Sequence, residues 1–491
     1  MKFIKISLPK KTFGVLPRKI KTSLNASIFD GYLWAMMWGL GEMFVIPFAV
    51  FFQASSLMVS LINGLTQIGI SISNVLGANF IEYYRNRKKL AIITNILHAS
   101  SYLFIFFFTL ITKDPAVILI FFVAGLVCTS FSSAGWTSWM NELVPERIRG
   151  RFWGLRNKYI NLFQIIAALI GGAILSLAKK FDITLFGFGF LFISAFFFRA
   201  ASFIPLSKQY EPTMAAPSKK ERISFFDFIF SLPKSNFGRF TIFNIFFTLS
   251  TSLMPALTTI FLLKTIKVSY LELSIINIAL SLSSAFLMPY WGKITDNYGN
   301  YKVLAFTACG ILLIPLGWTF FRETIWFIIL NIFAGFFWSG FALSSQNFIL
   351  DNVDKRVLHY NVAYYNALNN FMAFVGSVLG GILAKAFQSI SLERFLIFTF
   401  TESKLEIVFF ISFILRLIII VLLLKTFTEI KRKKPLSNTV YIFIIQPAIE
   451  YLNPVKFIST AAQHYVKSFK LVKKFLSLPK TKDFNKKDSK D

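Results

Sequence analysis

Apolar runs of about 20 to 25 residues, recurring along most of the chain with few charges inside them, limit what this sequence can become more than any other feature. A helix needs about 20 such residues to cross the ~30 Å hydrocarbon core of a bilayer. A soluble protein could not hide so much apolar surface, and here 55% of the 491 residues are hydrophobic and 61 are Phe. The runs fall at 27–52, 57–81, 90–112, 116–140, 152–177, 183–206, 240–263, 269–291, 303–321, 325–350, 362–387 and 405–427. Backbone groups in lipid must be satisfied within their own segment, so these are helices. The runs lack the period-two alternation of barrel strands and exceed their length. The expected fold class is an all-α polytopic membrane protein with twelve spans.

Where the charges sit explains the net charge of +29. Of the 52 Lys and Arg, 41 lie on the side holding the N-terminus, nine lie on the opposite side, and Arg199 and Arg416 fall within spans. The positive-inside rule therefore puts both termini in the cytoplasm, and the cell membrane is the expected location. Basic residues placed between apolar runs read as contacts with anionic lipid rather than as a nucleic-acid footprint. Cys128 and Cys309 both lie inside apolar runs, which leaves no disulfide framework. With three His and no cluster, neither a metal centre nor a cofactor is expected. Residues 1–23 carry seven Lys and Arg but no short apolar core with a small-residue cleavage site, so they are not read as a signal peptide.

The second half of the chain repeats the first. After the second run the chain reads Ala78-Asn-Phe-Ile-Glu82-Tyr-Tyr-Arg85-Asn-Arg87-Lys88-Lys89-Leu90, and after the eighth Gly292-Lys-Ile-Thr-Asp296-Asn-Tyr-Gly299-Asn-Tyr-Lys-Val-Leu304. The fifth and eleventh runs share a Gly pair, Gly171-Gly172 and Gly380-Gly381, each with an Asn ten residues earlier, Asn161 and Asn370. The sixth and twelfth share Phe-Ile-Ser followed by Arg199 and Arg416.

The Gly292-x-x-x-Asp296-x-x-Gly299 pattern, its degraded copy with Arg85 in the glycine position, and Pro145-Glu146-Arg147-Ile-Arg149-Gly150-Arg151 resemble the major facilitator superfamily of secondary transporters. That resemblance covers about residues 25–430. It implies two pseudo-symmetric six-helix bundles around a central site and alternating access by rocking. The corresponding division is a basic N-terminus (1–25), an N-terminal bundle (26–207), a linker (208–238), a C-terminal bundle (239–428) and a basic tail (429–491).

Spacing nominates a cytoplasmic gate. An acid at the inner end of a helix is stabilised by the N-terminus of a neighbouring helix, which suits Glu82 and Asp296. Arg85, Arg87, Lys88 and Lys89 can reach Glu142 and Glu146, with Arg149, Gly292 and Gly299 completing the set. Exposed pairs of this kind are worth at most about 1 kcal/mol each, a strength suited to a latch that opens in every cycle. The alternative is that these charges only fix topology.

Within the membrane, Glu42 most needs a reason. An acid near mid-span costs about 2.5 to 3.5 kcal/mol on insertion scales, so it is expected to face inward, onto the central cavity. It either couples protons to transport, with Trp38 one turn away, or sits protonated against a neighbouring helix. The mid-depth residues recognisable near it are neutral, which makes a proton its expected neutraliser. Asp30, close to the inner end of the span, reads as a helix-start or interfacial charge. Asn157, Asn161 and Gln164 share one stripe of the fifth span, and Gln67, Asn277, Trp338 and Asn370 lie at similar depth; singly each serves as interhelical glue, and together they favour a polar or amphipathic solute. Arg199 and Arg416 read as snorkelling or packing residues, or as counter-ions. In the tail, Ile458, Ala462, Tyr465, Phe469, Val472 and Leu476 form the apolar side of a basic amphipathic helix suited to anionic lipid.

The expected function is secondary transport of a small solute by a monomer, possible coupling to protons included. No Gly-Lys-Ser/Thr phosphate loop is present, so ATP hydrolysis is not expected. A membrane enzyme acting on lipid-linked substrates would be expected to carry an acidic pair in a sizeable external loop, whereas the first external connection is short. An assembly factor or lipid flippase of the same fold is the other alternative. The Gly-Pro of the superfamily's antiporter signature is missing, since Ala167-Ala168 precedes Gly171.

Overall fold

The computed structural model describes residues 16–84, 86–145, 148–212, 225–354, 357–389 and 404–429. Twelve of its helices are long and apolar enough to cross a membrane. Span one is Arg18–Phe51, followed by Ser56–Tyr84, Arg87–Thr112, Ala116–Leu143, Arg149–Lys180 and Thr184–Lys208. Spans seven to twelve are Asn236–Ile266, Tyr270–Tyr298, Asn300–Phe320, Thr324–Asn352, Leu358–Ser389 and Leu405–Thr426. The fold is all-α with twelve spans, and it belongs to the architecture of two six-helix bundles.

Packing makes the internal repeat physical. In the first half span two packs on four, three on four, one on five, three on six and one on six. Adding six to every number gives the pairs of the second half: eight on ten, nine on ten, seven on eleven, nine on twelve and seven on twelve. The halves meet through the pairs two with eleven and five with eight, which the same operation exchanges. Rings fill each half. Phe48 lies between Phe52, Phe106, Phe188 and Phe192, with centroids 5.0 to 6.3 Å away. Phe240 lies between Phe348, Tyr365 and Phe427.

The first span of each half is broken. In span one the α-helix stops at Leu40, a 3-10 turn covers Glu42–Phe44 and the helix resumes at Val45. Pro47 lacks the N–H that would bond the carbonyl of residue 43, and Gly41 lowers helix propensity at the joint. In span seven the break falls at Leu253 and Met254, immediately before Pro255. The carbonyl of Ser250 that the break releases accepts a hydrogen bond from Ser412 Oγ at 2.6 Å.

Several spans extend past their apolar runs on the face where span one begins, called here the basic face. Span eight continues beyond Trp291 to Tyr298 because Ile294, Thr295 and Tyr298 remain buried. Gly292 and Asp296, expected in a loop, therefore occupy its last two turns, and Gly299 alone separates spans eight and nine. Gly299 has φ 97° and ψ 159°, a backbone region essentially restricted to glycine.

Candidate functional site

On the face opposite the basic one, the halves close on each other. Ser377 Oγ donates to the Ser60 carbonyl at 2.8 Å and accepts from Asn63 Nδ2 at 3.3 Å, joining spans two and eleven. Leu271 N donates to Ser176 Oγ at 2.9 Å, and the rings of Phe188 and Tyr270 meet at 5.6 Å. The glycine pairs make this approach possible. A Cβ on Gly171 or Gly380 would strike Phe44 or Leu253 at the broken spans, while one on Gly172 or Gly381 would strike Tyr270 or Ser60 of the opposing half.

Helical periodicity carries these interfaces toward the basic face. Gln67 lies about two turns, or ~10 Å, below Ser60 on the same side of span two, and Asn370 the same distance below Ser377 on span eleven. Asn161 lies about three turns below Gly172, and Asn277 about two turns below Tyr270. Helical register thus puts four amides from four spans on the interface sides of their helices, beneath the seal. Asn161 and Asn277 are exposed, Gln67 and Asn370 half-buried. Gln164 is half-buried at the edge of this surface, its backbone against Gly39. Trp338 leans on Phe341 at 5.8 Å and remains half-buried. Asn369, next to Asn370, is interhelical glue: its Oδ1 accepts from Thr248 Oγ1 at 2.8 Å.

Glu42 opens the 3-10 turn, with the Trp38 indole within hydrogen-bonding reach of its carboxyl. The expectation of wholly neutral surroundings fails. Arg199 acts electrostatically on both Glu42 and Asp30, and Glu42 also acts on Tyr102. These neighbours come from spans six and three of its own half. Arg199 does not snorkel: it is 5% exposed and donates to Asn95 Oδ1 at 2.5 Å and Thr129 Oγ1 at 2.9 Å. The face of span six that packs on spans one and three carries Arg199 into the protein. His98 is buried beside Tyr102, its Nε2 3.4 Å from the phenol oxygen. Asp30, expected at an interface, is 6% exposed near Arg156 and Arg199. Arg156 stacks over Trp136 and Trp153 at 4.8 and 5.6 Å.

At the basic face Arg87 is the centre of the charge network, and its bonds differ from the expected weak exposed pair. Its side chain is 0% exposed because the chain leaving span six covers it. It holds Glu142 through both oxygens, at 2.7 and 2.9 Å, and reaches the Pro212 carbonyl at 3.0 Å and Glu211 at 3.4 Å. Glu211 also accepts from the backbone N–H of Arg87 at 2.8 Å and Lys88 at 3.2 Å, capping span three. Arg149 donates to the Asn141 carbonyl at 3.3 Å. Asp296 is exposed at the end of span eight, and Gly292 faces open space, its would-be Cβ touching only Leu343 at 3.9 Å. Arg85, Glu146 and the side chain of Glu82 lie outside the described residues, as does the tail helix.

The second half contains a matching network that motif reading missed. Glu429, just after span twelve, accepts from Tyr301 N at 2.8 Å and caps span nine as Glu211 caps span three. Asn300 donates to Asp351 at the end of span ten, in the position that Glu142 holds at the end of span four. The signal was present in the repeat, since Glu142 and Asp351 are separated by the 209 residues that also separate Gly171 and Gly380.

A profile of the Major Facilitator Superfamily matches residues 29–237 and 239–476. Among solved structures, a point mutant of the nucleoside transporter NupG superposes with a TM-score of 0.64 at 13% identity, covering 83% of this chain and 100% of that one. A D-xylose-proton symporter gives a TM-score of 0.62 at 13% identity, covering 84% and 99%. A "Multi-drug resistance efflux pump PmrA homolog" of Lactococcus lactis subsp. lactis (strain IL1403) is 28% identical over 108 residues, 22% of this chain and 26% of that protein. The chain thus spans about a quarter of the curated relative it matches. With the profile covering nearly all of the repeated halves and the same packing in both, the chain belongs to the major facilitator superfamily.

Proposed function

We propose that this transporter carries a small polar or amphipathic solute by alternating access, with both termini in the cytoplasm of a cell whose plasma membrane it spans. What supports this reading is the sealed contact between the halves together with the helical register that carries four amides, Gln67, Asn161, Asn277 and Asn370, beneath it. Each amide can donate and accept, so a neutral solute rich in hydroxyl, amide or ring-nitrogen groups would find partners from both halves. The nucleoside transporter and xylose-proton symporter that share the fold are both named for polar solutes. By the positive-inside rule the sealed face is external and this conformer opens to the cytoplasm.

Coupling to protons is assigned to Glu42, with Trp38 beside it. A buried carboxylate must be neutralised by a proton or a cation, and Arg199 supplies the second option, so binding and release of a proton would change which charges pair in the N-terminal half. Asp296, Gly292 and Gly299, with Glu82, Arg85, Glu146 and Arg149, form the cytoplasmic gate; the Arg87, Glu142 and Glu211 cluster braces it. The transporter works as a monomer, its tail on anionic lipid. A solute screen by thermal shift on purified protein identifies the substrate, because stabilisation scales with occupancy. In proteoliposomes Glu42→Gln should then abolish accumulation against a gradient and spare exchange between equal pools. Equal loss of both would assign Glu42 to substrate binding or to bundle integrity.

A further inference from the structure

The chain that enters span seven carries a short helix, Phe225–Ser231, which has no part in the transport cycle described above. Its residues are apolar except Asp227 and the closing Ser231. With 3.6 residues per turn, Phe228, Phe225, Ile229, Phe226 and Phe230 follow one another around about 200° of the helix, and Asp227 and Ser231 occupy the remainder. One end of that apolar arc packs on protein. Phe228 is buried 6.2 Å from Phe237 of span seven, and Phe225 and Phe228 meet Tyr364 of span eleven at 5.3 and 5.4 Å. The other end is uncovered: Phe226 is 68% exposed and Phe230 72%, with Ile229 half-buried beside them.

The turn that follows the helix sets where it stands. Leu232–Lys234 folds back onto span seven so closely that a Cβ on Gly238 would strike the Leu232 carbonyl, and Ser235 Oγ caps the span by accepting from Gly238 N at 2.9 Å. The helix is therefore held beside the first turn of span seven. Lys234 and Arg239, both exposed, bracket that turn, and basic side chains at a span end reach for the headgroups. Aromatic rings on one face of a helix, polar residues on another and cations alongside suit the boundary between headgroups and acyl chains. We propose that Phe225–Ser231 is an in-plane foot on the lipid leaflet at the basic face. Phe226, Phe230 and Ile229 enter the acyl boundary, Asp227 and Ser231 face water, and Lys234 and Arg239 lie against lipid phosphates. Through Phe225 and Phe228 the foot is tied to Tyr364, six residues before Asn370, so the leaflet holds the basic-face ends of spans seven and eleven at one depth.

The test places an environment-sensitive fluorophore on full-length protein lacking Cys128 and Cys309, reconstituted in phosphatidylcholine nanodiscs. One sample carries it at Phe226→Cys on the apolar arc and another at Ser231→Cys, about 140° around the helix. Both positions are exposed, so neither substitution opens the core. The label at 226 should emit to the blue of the label at 231, lose intensity to lipids spin-labelled near the top of the acyl chain and resist quenching by aqueous iodide; the label at 231 should behave in the opposite way. Adding Phe230→Ser to the Phe226→Cys protein should move the emission to the red and raise quenching by iodide, because one ring of the foot is gone. Iodide quenching at 226 as strong as at 231 would put the helix in water and overturn the proposal. Protection of the label at 226 from both iodide and the lipid quencher would also overturn it, since a second copy or the tail of this chain would then cover the rings.

Discussion

Replacing Arg87 by Met removes the centre of the basic-face network while keeping the length of the apolar stem. Losing one partner of a buried ion pair costs about 3–5 kcal/mol when the remaining charge stays dry. Here the carboxylates left behind are 39% exposed in Glu142 and 19% in Glu211, so water reaches both. The expected loss is therefore about 2–3 kcal/mol, close to the value of one charged hydrogen-bond pair plus partial desolvation. Glu142→Gln should cost less, about 1 kcal/mol, because the amide oxygen still accepts from Arg87 and Glu211 still balances its charge. The two losses should not add: in the Arg87→Met background, Glu142→Gln should be nearly silent. Thermal unfolding of the four proteins, with exposed Lys89→Met as the control, measures the cycle. Additive losses, or an Arg87→Met protein no less stable than Lys89→Met, would show that the buried network contributes nothing and refute the reasoning.

Gly299→Ala should lower stability by about 1–3 kcal/mol, since its backbone region is closed to a residue with a Cβ, and thermal unfolding reads this directly. Gly292→Ala should fold normally, having open space, so any loss of uptake would reflect a conformer in which the halves meet at the basic face. Asp296→Asn should impair transport more than it lowers expression, because the residue is exposed and at a helix end; normal transport with reduced expression would make the motif structural. Oxidising an Asn63→Cys, Ser377→Cys pair across the seal should stop uptake, and a reductant should restore it.

The spans were legible because hydrophobic runs and positive-inside charge report on lipid, a solvent that acts on every residue in the same way. The repeat was legible because Gly171-Gly172 and Gly380-Gly381 are each needed where two helices touch. The ends of spans were harder to read. Hydropathy stops span eight at Trp291, whereas Ile294, Thr295 and Tyr298 keep it helical to Tyr298. The neighbours of buried charges were harder still. Nothing in the local sequence of Arg199 reveals that it turns toward Asn95, Thr129 and the acids of span one, because those contacts depend on helix rotation within the bundle. Glu211 and Glu429 looked like linker and tail residues and turned out to cap spans three and nine. A capping acid supplied from more than a hundred residues away leaves no local signature. Asn161, Asn277, Gln67 and Asn370 are each ambiguous between glue and lining in the sequence, because which side of a helix faces the other half depends on contacts such as those of Ser60 and Ser377 that lie several turns away.

Alternating access is tested most directly at Asn161, on the surface that should open to one side at a time. In a protein lacking Cys128 and Cys309, Asn161→Cys is combined with the Asn63→Cys, Ser377→Cys pair and probed with a membrane-impermeant thiol reagent in cells and in inverted vesicles. With the seal cross-linked, labelling should occur only from the cytoplasmic face. With that disulfide prevented by replacing Ser377→Cys with the native serine, reagent should reach the cysteine from both faces. Labelling from the external face while the seal is cross-linked, or from one face alone in the unlocked protein, would contradict the mechanism.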